Sequence, residues 1–294
     1  MDDATRLAII RQAFAQRLSF ETGILDPRVE AAFAAVPRED FLGPGPWQTV
    51  LWPRTGSDAY IATPSADPAW LYMDCIFAIL PERHVNNGQP ALHAKLIAEA
   101  PIKDGDHVVH VGLGTGYYTA IMAHLAGPSG KVTAIEFDPA LAMRARQNLA
   151  SLTNVSVVQG DGCTAPFDAA DVIYVNAGVT RPAEAWLDRL KVGGRLIIPL
   201  TGPRGFRTKP PPVPIDRRGA VFRIERQSAG YLARWLSPVA IIPCEGGRDA
   251  VSEAALEAAL KKGGWERVTR LYRNAEVPED RSWLRAPGWT LAYS

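Results

Sequence analysis

From position 108 onward the chain alternates short apolar runs with amphipathic stretches. Runs at 108–111, 131–136, 155–158, 171–175 and 194–199 have the length and character of buried strands. Segments 117–125, 139–150 and 182–190 lie between them and carry apolar residues at helical spacing. This alternation predicts a Rossmann-like α/β fold with a mostly parallel sheet, which right-handed crossovers make doubly wound. Upstream, Leu7, Ile10, Phe14 and Leu18 recur at helical period and predict a helix over 4–19. Asp26 as N-cap and Pro27 in the first turn open a second helix, which Pro37 closes. Leu92, Leu96 and Ala100 share one face of a third, over 91–100. Residues 42–70 contain Pro44, Pro46, Pro53, Pro64 and Pro68, which predicts a loop-rich segment of the kind that lies over active sites.

Downstream, Gly193-Gly194 predicts a turn before the strand at 194–199. Segments 219–226 and 232–244 read as two more strands, pairing antiparallel at one sheet edge. A helix over 251–262 and a short-stranded, Trp-containing tail follow. Lys209-Pro-Pro-Pro-Val-Pro214 predicts an exposed polyproline-like excursion. The expected organisation is an N-terminal helical and loop-rich, substrate-side region (1–80), a cofactor-binding core (81–245), and a C-terminal extension packed on the core (246–294).

The first apolar run flows into Gly112-Leu-Gly114-Thr115-Gly116-Tyr117. The spacing is G-x-G-x-G. A dinucleotide fingerprint places its third glycine one residue later, where this chain has Tyr117. The tighter turn suits the methionine moiety of S-adenosyl-L-methionine, which has no pyrophosphate for a helix N-terminus to hold. Glu136 closes the next strand and is positioned to accept from both ribose hydroxyls. Asp161-Gly162 closes the one after, with Asp161 placed to accept from the adenine amino group and Gly162 to admit the ring. Singly, each acid reads as a solvated strand end or an ordinary turn. In series at crossover spacing, they predict an S-adenosylmethionine site.

Composition narrows the partners. Lys and Arg total 32 against 31 for Asp and Glu, so no strong nucleic-acid signal is present. No apolar run reaches the roughly 18 residues of a membrane span. Cys75, Cys163 and Cys244 are far apart, which suits a reducing, cytoplasmic location. The histidines at 84, 93, 107, 110 and 124 lack ligand spacing, so no metal is expected.

The order of segments resembles the protein-L-isoaspartate O-methyltransferase family. The resemblance rests on Gly23-Ile-Leu-Asp, Val36-Pro-Arg-Glu-Asp-Phe41, Gly88-Gln-Pro90, residues 108–118, Ile135-Glu136, Gly160-Asp-Gly162 and the run from Leu190 to Pro199. It implies a class I S-adenosylmethionine-dependent methyltransferase acting on the carboxylate of aspartyl- or isoaspartyl-type acceptors. It also assigns the cofactor to Gly112, Gly114, Thr115, Gly116, Glu136, Asp161 and Gly162.

The chain departs from the family on its acceptor side. Where the family shows Thr-Ile-Ser-x-Pro, this chain reads Asn86-Asn87-Gly88-Gln89-Pro90, so the serine hydroxyl beside the accepting carboxylate is gone. Asn86, Asn87 or Gln89 is the expected replacement, and weak turnover of standard isoaspartyl peptides is anticipated. His93, one turn beyond Gly88, is the candidate catalytic residue, by hydrogen-bonding an acceptor or taking a proton from a hydroxyl. His110 stands where the family's motif strand has an acid, and reads as a strand histidine satisfied by its neighbours. Two other functions fit the same residues: a small-molecule O- or N-methyltransferase, and a protein that binds S-adenosylmethionine without transferring the methyl. The acceptor is thus a peptide or a small molecule, and the oligomeric state is left open.

Overall fold

A computed structural model describes residues 2–50, 60–203 and 214–293. Two compact units interleave along the chain. The first comprises Met1–Gly105, Leu113–Val132 and Ala140–Val157; the second comprises Asp106–Gly112, Thr133–Pro139 and Val158–Ser294. Pro53 and most of the polyproline-like stretch, 209–213, lie outside the described residues.

The first unit opens with α1 (Asp3–Thr22), α2 (Pro27–Ala35) and the single turn α3 (Glu39–Leu42). Local chemistry sets their ends. Asp2 Oδ1 accepts from the Thr5 amide at 2.8 Å, and Gly23 closes α1 in the left-handed conformation at φ 68°. Asp26 caps α2 and Pro27 starts it, as the sequence predicts. Among its described residues, the proline-containing segment after α3 forms the two-residue strands β1 (Gln48–Thr49) and β2 (Ile61–Ala62) and a single 3-10 turn at Pro68–Leu71. It still supplies core: Leu42 and Trp47 are buried with Leu71 and Phe77. A second small hairpin, β3 (Ala78–Leu80) and β4 (Val85–Asn86), leads into α4 (Pro90–Ala98).

The main sheet contains β5 (His107–Val111), β6 (Lys131–Glu136), β7 (Val155–Gln159), β8 (Ala170–Val175) and β9 (Leu190–Thr201). The helices α5 (Tyr117–Ala126), α6 (Pro139–Asn148) and α7 (Glu184–Arg189) follow β5, β6 and β8 respectively. The sheet continues through β10 (Gly219–Arg226) and β11 (Tyr231–Pro238). After α8 (Ala250–Lys262) it is completed by β12 (Val268–Arg273), β13 (Ser282–Ala286) and β14 (Trp289–Tyr293). Its ten strands lie in the order β13-β14-β12-β11-β10-β9-β8-β5-β6-β7. β5, β8 and β9 run parallel, while β10 to β14 form an antiparallel half. The order turns back at β5, so the β5/β8 boundary is the topological switch point at which α/β sheets bind ligands.

Three details differ from the sequence expectations. The predicted turn at Gly193-Gly194 lies inside β9. There, pairing with β8 jumps from Ala170↔Leu190 to Val172↔Arg195, so the extra residues form a bulge rather than end the strand. β11 stops at Pro238 instead of continuing to Cys244, because the chain leaves the sheet between two prolines that have no N–H to donate. It then runs beside Gly178, with the Cys244 amide donating to Gly178 O at 2.9 Å. The β10–β11 pair forms antiparallel in the predicted register range but is not an edge, since β12, β14 and β13 extend the sheet beyond it.

Candidate functional site

In the second unit, three neighbouring strand ends carry the predicted nucleoside residues. Gly112 follows β5, Glu136 ends β6, and Asp161-Gly162 follows β7. Backbone bonds hold them together. The Gly112 amide donates to Ile135 O at 2.9 Å, and the Gly160 amide to Glu136 O at 2.8 Å. Gly112 has φ 77°, and a Cβ there would sit 3.2 Å from Asn176 O. Glycine therefore serves both the turn and the close approach of β8. The Glu136 carboxylate is buried, with Oε1 accepting from the Asp138 amide at 3.1 Å. Asp161 Oδ1 accepts from the Cys163 amide at 2.8 Å, which locks its turn.

Two further residues shape this corner. The fully buried Trp186 donates from Nε1 to Gly162 O at 2.8 Å. Gly246, at φ 76°, lies against Asp161, where a Cβ would be 2.5 Å from the carboxylate carbon. Neither is legible in the sequence: Trp186 reads as a core residue of α7, and Gly246 as one of two loop glycines. Gly162 packs closely on β5, where a Cβ would overlap Val111 Cγ1.

His110 is fully buried in β5 beside Tyr174, whose ring meets it edge-on at 5.6 Å. Burial pushes its pKa down to about 3, so the imidazole is neutral at physiological pH.

In the first unit, Gly114, Thr115 and Gly116 form the turn leading into α5. Gly114 and Gly116 have φ 59° and 100°, and Gly116 is the N-cap of α5. A Cβ at Gly116 would meet Leu149 Cδ1 at 2.7 Å. Thr115 is buried, and its carbonyl accepts from Asn148 Nδ2 at 2.9 Å. The segment expected on the acceptor side adjoins this turn. The place of a Gly114 Cβ is 3.8 Å from Ile79 Cδ1 on β3, and Tyr118 Oη donates to Gly88 O at 3.3 Å.

His93 is buried and stacks on Tyr118, with centroids 3.9 Å apart and planes 23° apart. It also occupies the space a side chain at 88 would need. Gly88 has φ 72°, and its Cβ would be 2.8 Å from His93 Cδ2 and nearer still to Nε2. The predicted replacements for the missing hydroxyl behave differently. Asn86 is engaged at both ends, accepting from the Gly88 amide at 2.9 Å and donating to His84 O at 3.3 Å. Gln89 Nε2 donates to Asp74 Oδ2 at 2.7 Å. Asn87 is buried; its Oδ1 accepts from the Phe77 amide at 2.8 Å, while Nδ2 has no hydrogen-bond partner among the described residues.

The residues of the second unit fit a nucleoside: a buried carboxylate ends β6 and a second acid follows β7. In the first unit, the glycine turn presents backbone at Gly114 and Gly116. Among the described residues, no helix is long and apolar enough to cross a membrane.

Comparison with known proteins gives the same direction. The family profile described as Protein-L-isoaspartate(D-aspartate) O-methyltransferase (PCMT) matches residues 11–208. A protein-L-isoaspartate O-methyltransferase of Ignicoccus hospitalis is 39% identical over 158 residues, covering 52% of this chain and 69% of that one. Protein-L-isoaspartate O-methyltransferase 1 of Rhodopseudomonas palustris is 35% identical over 208 residues, covering 68% and 72%. Among solved structures, a protein-L-isoaspartate O-methyltransferase superposes with a TM-score of 0.62 at 24% identity, over 90% of this chain and 73% of that one. A Plasmodium falciparum protein described as this enzyme, in complex with S-adenosyl-L-homocysteine, gives 0.59 at 18% identity, over 80% and 97%. At these identities the two structures speak for the fold alone, a Rossmann-like α/β fold.

Proposed function

Since the chain belongs to the protein-L-isoaspartate(D-aspartate) O-methyltransferase family and is an S-adenosylmethionine-dependent methyltransferase, we propose that it methylates the free carboxylate of isoaspartyl-type residues in peptides. The observation that carries this reading is the trio of strand ends. Gly112, Glu136 and Asp161 are stitched side by side, with backbone bonds fixing each acid's position. Glu136 receives the ribose hydroxyls, and Asp161 and Gly162 the adenine. The turn Gly114-Thr115-Gly116 takes the methionine moiety. Asn86, Asn87, Gly88, Gln89 and His93 form the acceptor side. The setting we propose is the cytoplasm.

When bound, S-adenosylmethionine supplies an activated methyl group. The protein contributes alignment and exclusion of water. A carboxylate acceptor, with a pKa of about 4, is already ionised at neutral pH and needs no general base. That suits a site whose histidines hold positions rather than move protons. His110 is neutral and sealed in the sheet. His93 is stacked on Tyr118 and acts by fixing the acceptor segment beside the glycine turn.

The test is incubation with S-adenosylmethionine and an isoaspartyl peptide. The expected product is heavier by one methyl and loses it as methanol in mild base. A base-stable product would point to O- or N-methylation of another group, and cofactor binding without turnover to a sensor. One observation favours a second acceptor class, a different carboxylic acid. The His93 ring closes off the space at Gly88, so the segment has no room for a serine hydroxyl at that position.

A further inference from the structure

Asp74 lies between β2 and β3, and both of its carboxylate oxygens are committed to the acceptor segment. Oδ1 accepts from the Ala91 amide at 2.7 Å, and Oδ2 accepts from Gln89 Nε2 at 2.7 Å. Helix α4 has no capping side chain of its own, since its N-cap residue Gln89 makes no such bond. Asp74 thus caps α4 from 17 residues away and grips the residue that precedes Pro90. Gly88 precedes this clamp and His93 follows it on the first turn of α4.

The loop is itself held from beneath. Arg38 is completely buried, and its guanidinium donates to the carbonyls of Leu71, Met73 at 3.0 Å and Cys75 at 3.1 Å. Those carbonyls flank Asp74 on both sides. The same guanidinium lies over the Tyr117 ring at 5.7 Å, the first residue of α5 after the glycine turn. One buried cation therefore fixes the loop that carries Asp74 and touches the helix that the cofactor turn starts.

We propose that Asp74 is a positioning residue for the acceptor. It holds Gly88 and His93 in register with the glycine turn through α4 and Gln89, and Arg38 is its support. The inference rests on the proposed carboxyl-methyltransferase activity.

The experiment compares the full chain with three variants, using an isoaspartyl peptide as acceptor and S-adenosylhomocysteine as the cofactor-site probe. Asp74→Ala removes both bonds and is expected to raise the peptide KM about tenfold, as small misplacements of a reactant do. Its affinity for S-adenosylhomocysteine is expected to stay within about twofold of the parent's. Asp74→Asn keeps an acceptor for the Ala91 amide and can pair with a flipped Gln89 amide, so its KM is expected to return to within about threefold of the parent. If Asp74→Ala does not fold, Asp74→Glu keeps the charge but displaces the carboxylate, and its KM is expected to rise at least about fivefold.

A parent-like KM in Asp74→Ala, or in Asp74→Glu where that variant is needed, overturns the inference alone. So does a loss of S-adenosylhomocysteine affinity in parallel with KM, or an Asp74→Asn enzyme as impaired as Asp74→Ala. A parent that leaves the isoaspartyl peptide unmethylated while binding S-adenosylhomocysteine overturns the proposed activity, and this inference with it.

Discussion

Gly88 shows how a single residue can be fixed by what lies beside it. Its positive φ and the His93 ring leave no place for a Cβ. Restoring the family's serine by Gly88→Ser is therefore expected to lower activity and not to rescue it. A melting curve and a turnover assay check this, and a more active, equally stable variant would contradict it. The two acids carry a different prediction. Glu136→Ala and Asp161→Ala should each weaken cofactor binding by about 1–3 kcal/mol, the cost of leaving buried partners unpaired. Calorimetric titration of folded variants measures this, and parent-like affinity would remove these acids from the site.

His110 gives a pH dependence. Its pKa falls from 6.5 to about 3 on folding, so only the unfolded chain takes up its proton between those values. The stability that neutral His110 allows is complete above pH 6.5 and declines as pH falls toward 3. Over that window it amounts to roughly 4–5 kcal/mol at about 1.4 kcal/mol per unit. His110→Leu should flatten the acid limb of a stability–pH curve measured in urea. An unchanged slope would mean that the histidine is protonated in the fold.

At the scale of elements, legibility followed the range of the determining contact. Asp26, Pro27 and the glycine turn act on residues within a few positions, and their helices begin where the sequence says. The strand ends bearing Gly112, Glu136 and Asp161 were equally readable, because spacing alone brings crossover strands side by side. The capping of α4 was not, since the carboxylate that performs it is on another loop. Nor was the bulge in β9, because two glycines signal a turn and only the partner strand shows that pairing resumes beyond them. Gly193 sits in that bulge at φ 78° with open space around it. Gly193→Ala should cost about 1–2 kcal/mol from conformation alone, and chemical denaturation would show it. A neutral effect would mean that the bulge can relax.

Across the whole molecule, the segment after β11 is part of the scaffold. Leu256 and Leu260 of α8, Trp283 and Leu284 of β13 and Leu291 of β14 are buried in the same core cluster as Val109, Ile173 and Trp186. A chain cut after β11 would expose this apolar surface and is expected to be insoluble or unfolded. A soluble, cooperative fragment would show the extension to be dispensable.

The contact between Gly246 and Asp161 reaches further. Gly246 belongs to the stretch that joins β11 to α8, and it rests on the turn assigned to adenine. Any opening that peels this stretch away disturbs that turn, so a ligand bound there resists the opening in proportion to its occupancy. Hydrogen exchange in residues 239–250 should therefore slow as S-adenosylhomocysteine is added, and the chain's carboxy-terminal third becomes a reporter of how full the cofactor site is.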